Sequence, residues 1–143
     1  MKNLALKEEI VYDYVKSIYN TILLKDIVKR YKVRNVDFLD KLLIYLAHNI
    51  GTLFTAKNIS DYLKSQKIEI GSNIVVEYLR YATSVFLINK VKRQDIKRKK
   101  IFEINDKYYF SDVGIRNSLV GGYRQLDISQ LLENMVFLHF KAL

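Results

Sequence analysis

The chain has 143 residues, no cysteine and a formal net charge of +9 at pH 7. The absence of cysteine excludes disulfides, thiolate metal sites and cysteine nucleophiles, and no apolar run approaches the roughly 20 residues that a membrane-spanning helix needs. The positive charge favours a polyanionic partner, nucleic acid above all, and we expect a cytoplasmic protein without a membrane partner.

Three helices are predicted before residue 50. Apolar residues recur at helical spacing within residues 4–19, 22–31 and 36–47. Asn35 or Asp37 is available to cap the third helix, and Gly51 is well placed to end it. Residues 53–54 are long enough only for a short strand.

The central stretch, residues 55–110, organises the chain. A helix is expected over 58–66. Gly71 can end the preceding element, and Ser72 is a candidate cap for a second helix. The apolar residues of this helix are Ile74, Val75, Tyr78, Leu79 and Ala82. Residues 86–88 and 101–110 read as two strands around a basic loop. This order predicts a winged helix-turn-helix, in a mainly α chain with a small antiparallel β-wing and an N-terminal helical extension.

The strands and their loop carry the candidate phosphate contacts. A basic wing can lie along the DNA backbone and release counterions. The alternative is a solvated loop whose charges protect an exposed sheet edge. The candidate residues here are Lys92, Arg93, Lys97, Arg98, Lys99 and Lys100.

The second helix of the central stretch is the candidate recognition helix. Its expected outward residues are Ser72, Asn73, Val76, Glu77, Arg80 and Tyr81. Asn73 suits adenine and Arg80 suits guanine or a phosphate, whereas Glu77 would repel phosphates. A helix dedicated to recognising a DNA sequence presents more Arg, Lys, Asn or Gln side chains. An adaptor that binds protein is therefore an equally weighted alternative to a module that binds DNA.

The remaining polar residues indicate structure rather than catalysis. Alternation in residues 107–110 favours core packing of the aromatic rings over base stacking. Asp112 and Arg116 are expected to pair across a turn. His48 and His139 are isolated and lack metal-like spacing, so we expect no metal site and no catalytic residue.

Four segments resemble a known family, the prokaryotic AAA-type ATP-binding proteins with a C-terminal domain of unknown function. The segments are KSIYNTILLKDIVKRY at 16–31, NIGTLF at 49–54, KYYFSDVGIRN at 107–117 and LENMV at 132–136. The resemblance covers nearly the whole chain and is to the C-terminal region only. It implies a helical lead-in over 1–35, a winged helix-turn-helix over 36–111, and the start of a truncated nuclease-like module over 112–143, with Glu133 opening a nuclease-like helix.

Two departures from the family limit what the resemblance implies. The Walker A pattern is absent, since none of the five glycines precedes a Lys-Ser or Lys-Thr pair, and none of the residues after Glu133 is acidic. We therefore expect no enzyme activity and no cofactor in this chain; ATP and Mg²⁺ are implied only for the missing N-terminal module. The expected function is a non-catalytic region that couples an ATPase to double-stranded DNA, bound largely without sequence specificity, or to a protein partner. The alternative is a stand-alone winged-helix transcription regulator.

Overall fold

The computed structural model describes residues 2–53, 55–92, 106–122 and 124–143. These residues are mainly helical and carry one two-stranded antiparallel sheet, as predicted. The elements are α1 (Lys2–Thr21), a π-helical segment (Ile22–Lys29), α2 (Val36–His48), α3 (Ala56–Ser65), α4 (Ser72–Ser84), β1 (Ile88–Lys92), β2 (Asp106–Phe110), α5 (Val113–Leu119), a 3₁₀ turn (Gln125–Asp127) and α6 (Ile128–Ala142).

The first two predicted helices form one continuous run. Neither glycine nor proline interrupts residues 19–31, so nothing ends α1 before the wider π-helical turns begin. The run closes where the backbone N–H of Val33 donates to the carbonyl of Val28, at 3.1 Å. Among the described helices, none is long and apolar enough to cross a membrane.

Helix α2 lies at the centre of the core. Leu39, Leu42, Leu43 and Leu46 have no solvent exposure, and each such side chain contributes about 1.5–3 kcal/mol through burial. The Asn35 side chain caps α2 by accepting from the N–H of Phe38 at 3.0 Å, as one of the two predicted caps.

Helices α3 and α4 pack together against this core. Thr55 caps α3, because its hydroxyl oxygen accepts from the N–H of Asn58 at 3.1 Å. The predicted Ser72 cap is wrong. Ser72 is already helical, and the extended Gly71 occupies the cap position without a side-chain hydrogen bond.

The hairpin follows α4 after a tight turn. Ile88 pairs with Phe110 and Lys92 pairs with Asp106. The predicted strand start at Phe86 is wrong, because Phe86 has φ +60° and is 73% exposed in the turn. Residues 101–105 and Phe54 lie outside the described residues, and Leu53 is not in a strand.

A buried arginine fastens α5 to the core. Arg116 has no exposure; it donates to the carbonyl of Ala47 and to Asp127 at 2.8 Å each, and to Asn117 at 3.1 Å. Burial alone would raise the pKa of Asp127, but hydrogen bonds from Arg116 and Arg124 outweigh it and lower that pKa. The predicted pairing of Arg116 with Asp112 is therefore wrong. Asp112 instead caps α5 by accepting from the N–H of Ile115.

Helices α1 and α6 each leave an apolar arc uncovered. On α6 the inner side chains of Leu131 and Asn134 are buried, whereas the apolar side chains of the opposite arc are exposed. The exposed apolar residues are Leu4, Leu6, Ile10, Val11, Tyr14 and Ile18 on α1, and Ile128, Leu132, Met135, Val136 and Phe140 on α6. Contiguous apolar surface exposed in this way is typical of interaction sites.

Candidate nucleic-acid interface

The exposed edge of α4 presents the two predicted base-contacting residues on one line. Asn73 and Arg80 are both exposed, and Ser84 continues the line. The spacing i, i+7 returns to the same helix face after two turns, which separates Asn73 and Arg80 by about 10 Å along the axis. That distance is comparable to three base-pair steps at about 3.4 Å each.

Two other predicted outward residues are partly buried. The Tyr81 hydroxyl donates to the Glu77 carboxylate at 2.6 Å, and this hydrogen bond raises the pKa of Tyr81. The Glu77 carboxylate is thus held by its own helix. The expectation that both residues point freely outward is wrong, because they lie between the exposed edge and the buried face of α4.

A cleft of about 310 Å³ separates α4 from the hairpin. Its apolar lining includes Ile59 and Leu79, and its charged lining consists of Arg80, Lys90 and the acid Asp106. Lys90 also forms an ion pair with Asp106 at 3.0 Å across the hairpin. The cleft places the base of the hairpin beside the exposed edge of α4.

The structure locates only part of the predicted wing. Lys92 is exposed at the end of β1. Arg93 and the basic loop residues lie outside the described residues, so their contribution stays a prediction. These loop residues are Lys97, Arg98, Lys99 and Lys100.

Helix α6 holds the hairpin from the side opposite the core. The buried Asn134 amide accepts from the N–H of Phe110 and donates to its carbonyl, each at 2.9 Å. Tyr109 stacks on Phe137, with ring centroids 4.7 Å apart. Both faces of β2 are therefore covered, and the aromatic residues pack as predicted instead of offering a stacking surface. The sequence signal for Asn134 is a polar residue within the apolar inner arc of α6.

Glu133 lies on the last helix, as predicted. Hydrogen bonds from Tyr109 and from Lys107, the latter at 2.9 Å, lower the pKa of Glu133. Its carboxylate sits over Gly51, where an added Cβ would approach it to 3.3 Å. Within the described ranges, no cluster of three His, Cys, Asp or Glu side chains is arranged to hold a metal ion.

The predicted isolated histidines are both exposed. His48 Nδ1 lies 3.2 Å from a guanidinium nitrogen of Arg124, and burial followed by the charges of Arg124 and Arg116 lowers the pKa of His48. His139 lies at the edge of the Phe140 ring. Neither histidine is positioned by a catalytic partner among the described residues.

Residues 3–130 match the family described as a domain of unknown function, DUF8612. The chain belongs to this family. Relatives of this DUF8612 chain include an uncharacterized protein of Haemophilus influenzae, 31% identical over 96% of the chain, and uncharacterized protein MJ1544 of Methanocaldococcus jannaschii, 26% identical over 95%. The chain spans 33% and 29% of the lengths of these two relatives. No solved structure matches the chain.

Proposed function

We propose that the chain is the non-catalytic winged-helix region of a larger AAA-type ATP-binding protein and that it couples the ATPase to double-stranded DNA. One observation carries the DNA assignment: the exposed edge of α4 lies beside a cleft that it shares with a positively charged hairpin. In winged helices of this element order, such a helix enters the major groove and the hairpin follows the backbone. Asn73 and Arg80 then face the groove, and the hairpin lysines face phosphates.

The binding is expected to tolerate many sequences. Flexible lysine side chains supply charge but discriminate little between bases. Phosphate contacts from Lys92 and the loop therefore position the protein without selecting a DNA sequence. Along the exposed edge, Asn73 and Arg80 are the side chains suited to paired hydrogen bonds with bases. Sequence preference therefore depends on α4, and affinity depends on the hairpin.

Two observations support assignment to a larger protein. About two thirds of the length of each relative lies outside the aligned segment. The apolar arcs of α1 and α6 are also exposed, as expected for helices that pack against further chain. The ATP-dependent part of the proposal rests on the family resemblance, and ATP would bind outside these 143 residues. The stand-alone regulator remains the alternative.

Fluorescence anisotropy with a labelled duplex of about 20 base pairs tests the DNA assignment. The affinity of the chain for the duplex is measured across a salt series, since phosphate contacts make that affinity depend on salt. Replacing Lys97, Lys99 and Lys100 by alanine should make the slope of log K against log salt shallower by about 2–3 units. Arg80→Ala should instead change the ranking of duplex sequences. A Lys7→Ala/Lys16→Ala variant, altered on α1, is the control. Duplex binding that heparin abolishes equally in the wild type and the triple variant would refute the proposal.

A protein adaptor is the second candidate, favoured by the apolar arcs of α1 and α6. In that case the same titration shows no binding to the duplex that survives the addition of heparin as a competitor. Glutamate substitutions at Ile10 and Tyr14 on α1 would then abolish binding to a protein partner and leave the fold intact, because both side chains are exposed. Retained partner binding in that variant would exclude the α1 arc as the adaptor surface.

A further inference from the structure

The connector between the π-helical segment and α2 carries a second basic surface, separate from the wing. Residues 30–35 read Arg-Tyr-Lys-Val-Arg-Asn and contain no acid. Arg30, Lys32 and Arg34 are all exposed, whereas Val33 is buried and anchors the connector in the core. The charges of this segment therefore point into solvent from a fixed backbone.

Aromatic side chains hold this connector against α4. The rings of Tyr31 and Tyr81 stack with centroids 4.1 Å apart and planes within 8°. The Asn35 N–H also donates to the Tyr78 hydroxyl at 3.4 Å. These contacts tie the connector to the helix that carries Asn73 and Arg80.

Each of the stacked rings has an arginine beside it. The guanidinium carbon of Arg30 lies 5.6 Å from the centroid of Tyr31, and that of Arg80 lies 5.5 Å from the centroid of Tyr81. Contact with an aromatic ring restricts a guanidinium group without neutralising its charge. The stack thus connects Arg80 of α4, which is proposed to contact nucleobases, to the basic side chain of Arg30 on the connector.

Helical geometry places the connector on the far side of the exposed edge from the hairpin. Val76 and Thr83 line the hairpin cleft, whereas Glu77 and Tyr81 line a hollow of about 480 Å³ with Lys32 and Arg34. At 100° per residue, the line through Asn73 and Arg80 runs between these two sets. Positive charge therefore borders the exposed edge on both sides.

The hollow also contains two acids. Glu77 is engaged by the Tyr81 hydroxyl, and Glu69 is exposed at the rim. In the lining, Lys32 and Arg34 equal these acids in number, and Arg30 on the adjoining connector gives the surface its positive balance. A membrane surface suits this basic surface less well than DNA does, because the basic side chains border a polar helix edge instead of flanking an exposed apolar face.

We propose that Arg30, Lys32 and Arg34 bind the sugar-phosphate backbone of the same DNA duplex, across the groove from the phosphates that the hairpin contacts. This inference rests on the proposed DNA function and extends it with a phosphate-binding surface. Arginine forms paired hydrogen bonds with phosphate oxygens, which suits Arg30 and Arg34 to this role. The second surface fixes the orientation of α4 in the groove, because the duplex is held on both sides of the helix.

The test compares the salt dependence of duplex binding in matched variants. In the first variant, Arg30→Gln and Arg34→Gln are combined with Lys32→Asn, because Lys32 has φ +52° and asparagine tolerates that conformation. The slope of log K against log salt should become shallower by about 2–3 units. Arg30→Lys/Arg34→Lys keeps the charges and should retain the wild-type slope.

A second control separates local contact from the overall charge. Lys7→Gln/Lys16→Gln removes two charges from α1 and should leave the slope within about 0.5 units of the wild type, because slope counts the phosphates that are neutralised. Urea unfolding verifies that each variant is folded. A wild-type slope in the connector variant, or an equal change in the α1 variant, overturns the inference while the DNA function stands. Failure of the wild type to bind duplex above heparin competitor overturns the proposed function and the inference with it.

Discussion

Arg116→Met tests how much the buried arginine contributes to stability. Methionine has an unbranched side chain that fills much of the same space, but it removes the donors to Ala47, Asn117 and Asp127. Removing one member of a buried ion pair costs about 3–5 kcal/mol, because the other charge stays buried. Asp127 keeps Arg124 as a partner at 2.8 Å, so we expect the lower end, about 3 kcal/mol.

Urea unfolding followed by circular dichroism at pH 7 measures this cost. A loss of about 3 kcal/mol corresponds to a decrease in Tm of roughly 10 °C for a domain of this size. Arg124→Met is the matched control, because the Arg124 side chain is 44% exposed and its ion pair is expected to contribute under about 1 kcal/mol. A free energy of unfolding for Arg116→Met within 1 kcal/mol of the wild type would refute the assigned role of the buried arginine. An equal loss in both variants would also refute it.

Three further substitutions test other contacts. Asn134→Leu leaves the N–H and carbonyl of Phe110 unpaired and should cost about 2–4 kcal/mol; hydrogen exchange at Phe110 unchanged from wild type would contradict this. Gly51→Ala places a Cβ 3.3 Å from Glu133 at φ +70° and should cost about 1–2 kcal/mol in urea unfolding, whereas no loss would show that the turn relaxes freely. The lowered pKa of Asp127 stabilises the fold above the ordinary carboxyl pKa, and this contribution is lost as pH falls through the lowered value. Asp127→Asn should therefore flatten the loss of stability as pH falls below the ordinary carboxyl pKa, and an unchanged pH profile would contradict the assignment.

The helices were predictable because their apolar residues recur at helical spacing. The period in residues 36–47 predicted α2, whose leucines form the centre of the core. The candidate residues Asn73 and Arg80 were also predictable, since they fall opposite the buried stripe of α4. Local pattern is sufficient for such features.

Features that depend on distant partners were not predictable. The Arg116–Asp127 pair and the contact of Asn134 with Phe110 join segments whose proximity exists only in the folded chain. Alternation in β2 favoured packing of its aromatic rings, but it did not show that α6 is the element that covers Tyr109. The connector surface was missed for the same reason, because the Tyr31–Tyr81 stack and the Asn35–Tyr78 hydrogen bond that hold it beside α4 form only in the folded chain.

The most direct test of the central claim is a backbone amide NMR titration of the chain with duplex DNA. Binding through α4 predicts the largest shifts along residues 72–84, with further shifts in residues 30–35 and 88–92. The amides of α1 and of the outer arc of α6 should change little, because these surfaces carry the exposed apolar arcs and lie outside the proposed interface. Shifts confined to α1 and α6, or no saturable shifts at low salt, would contradict DNA binding by α4.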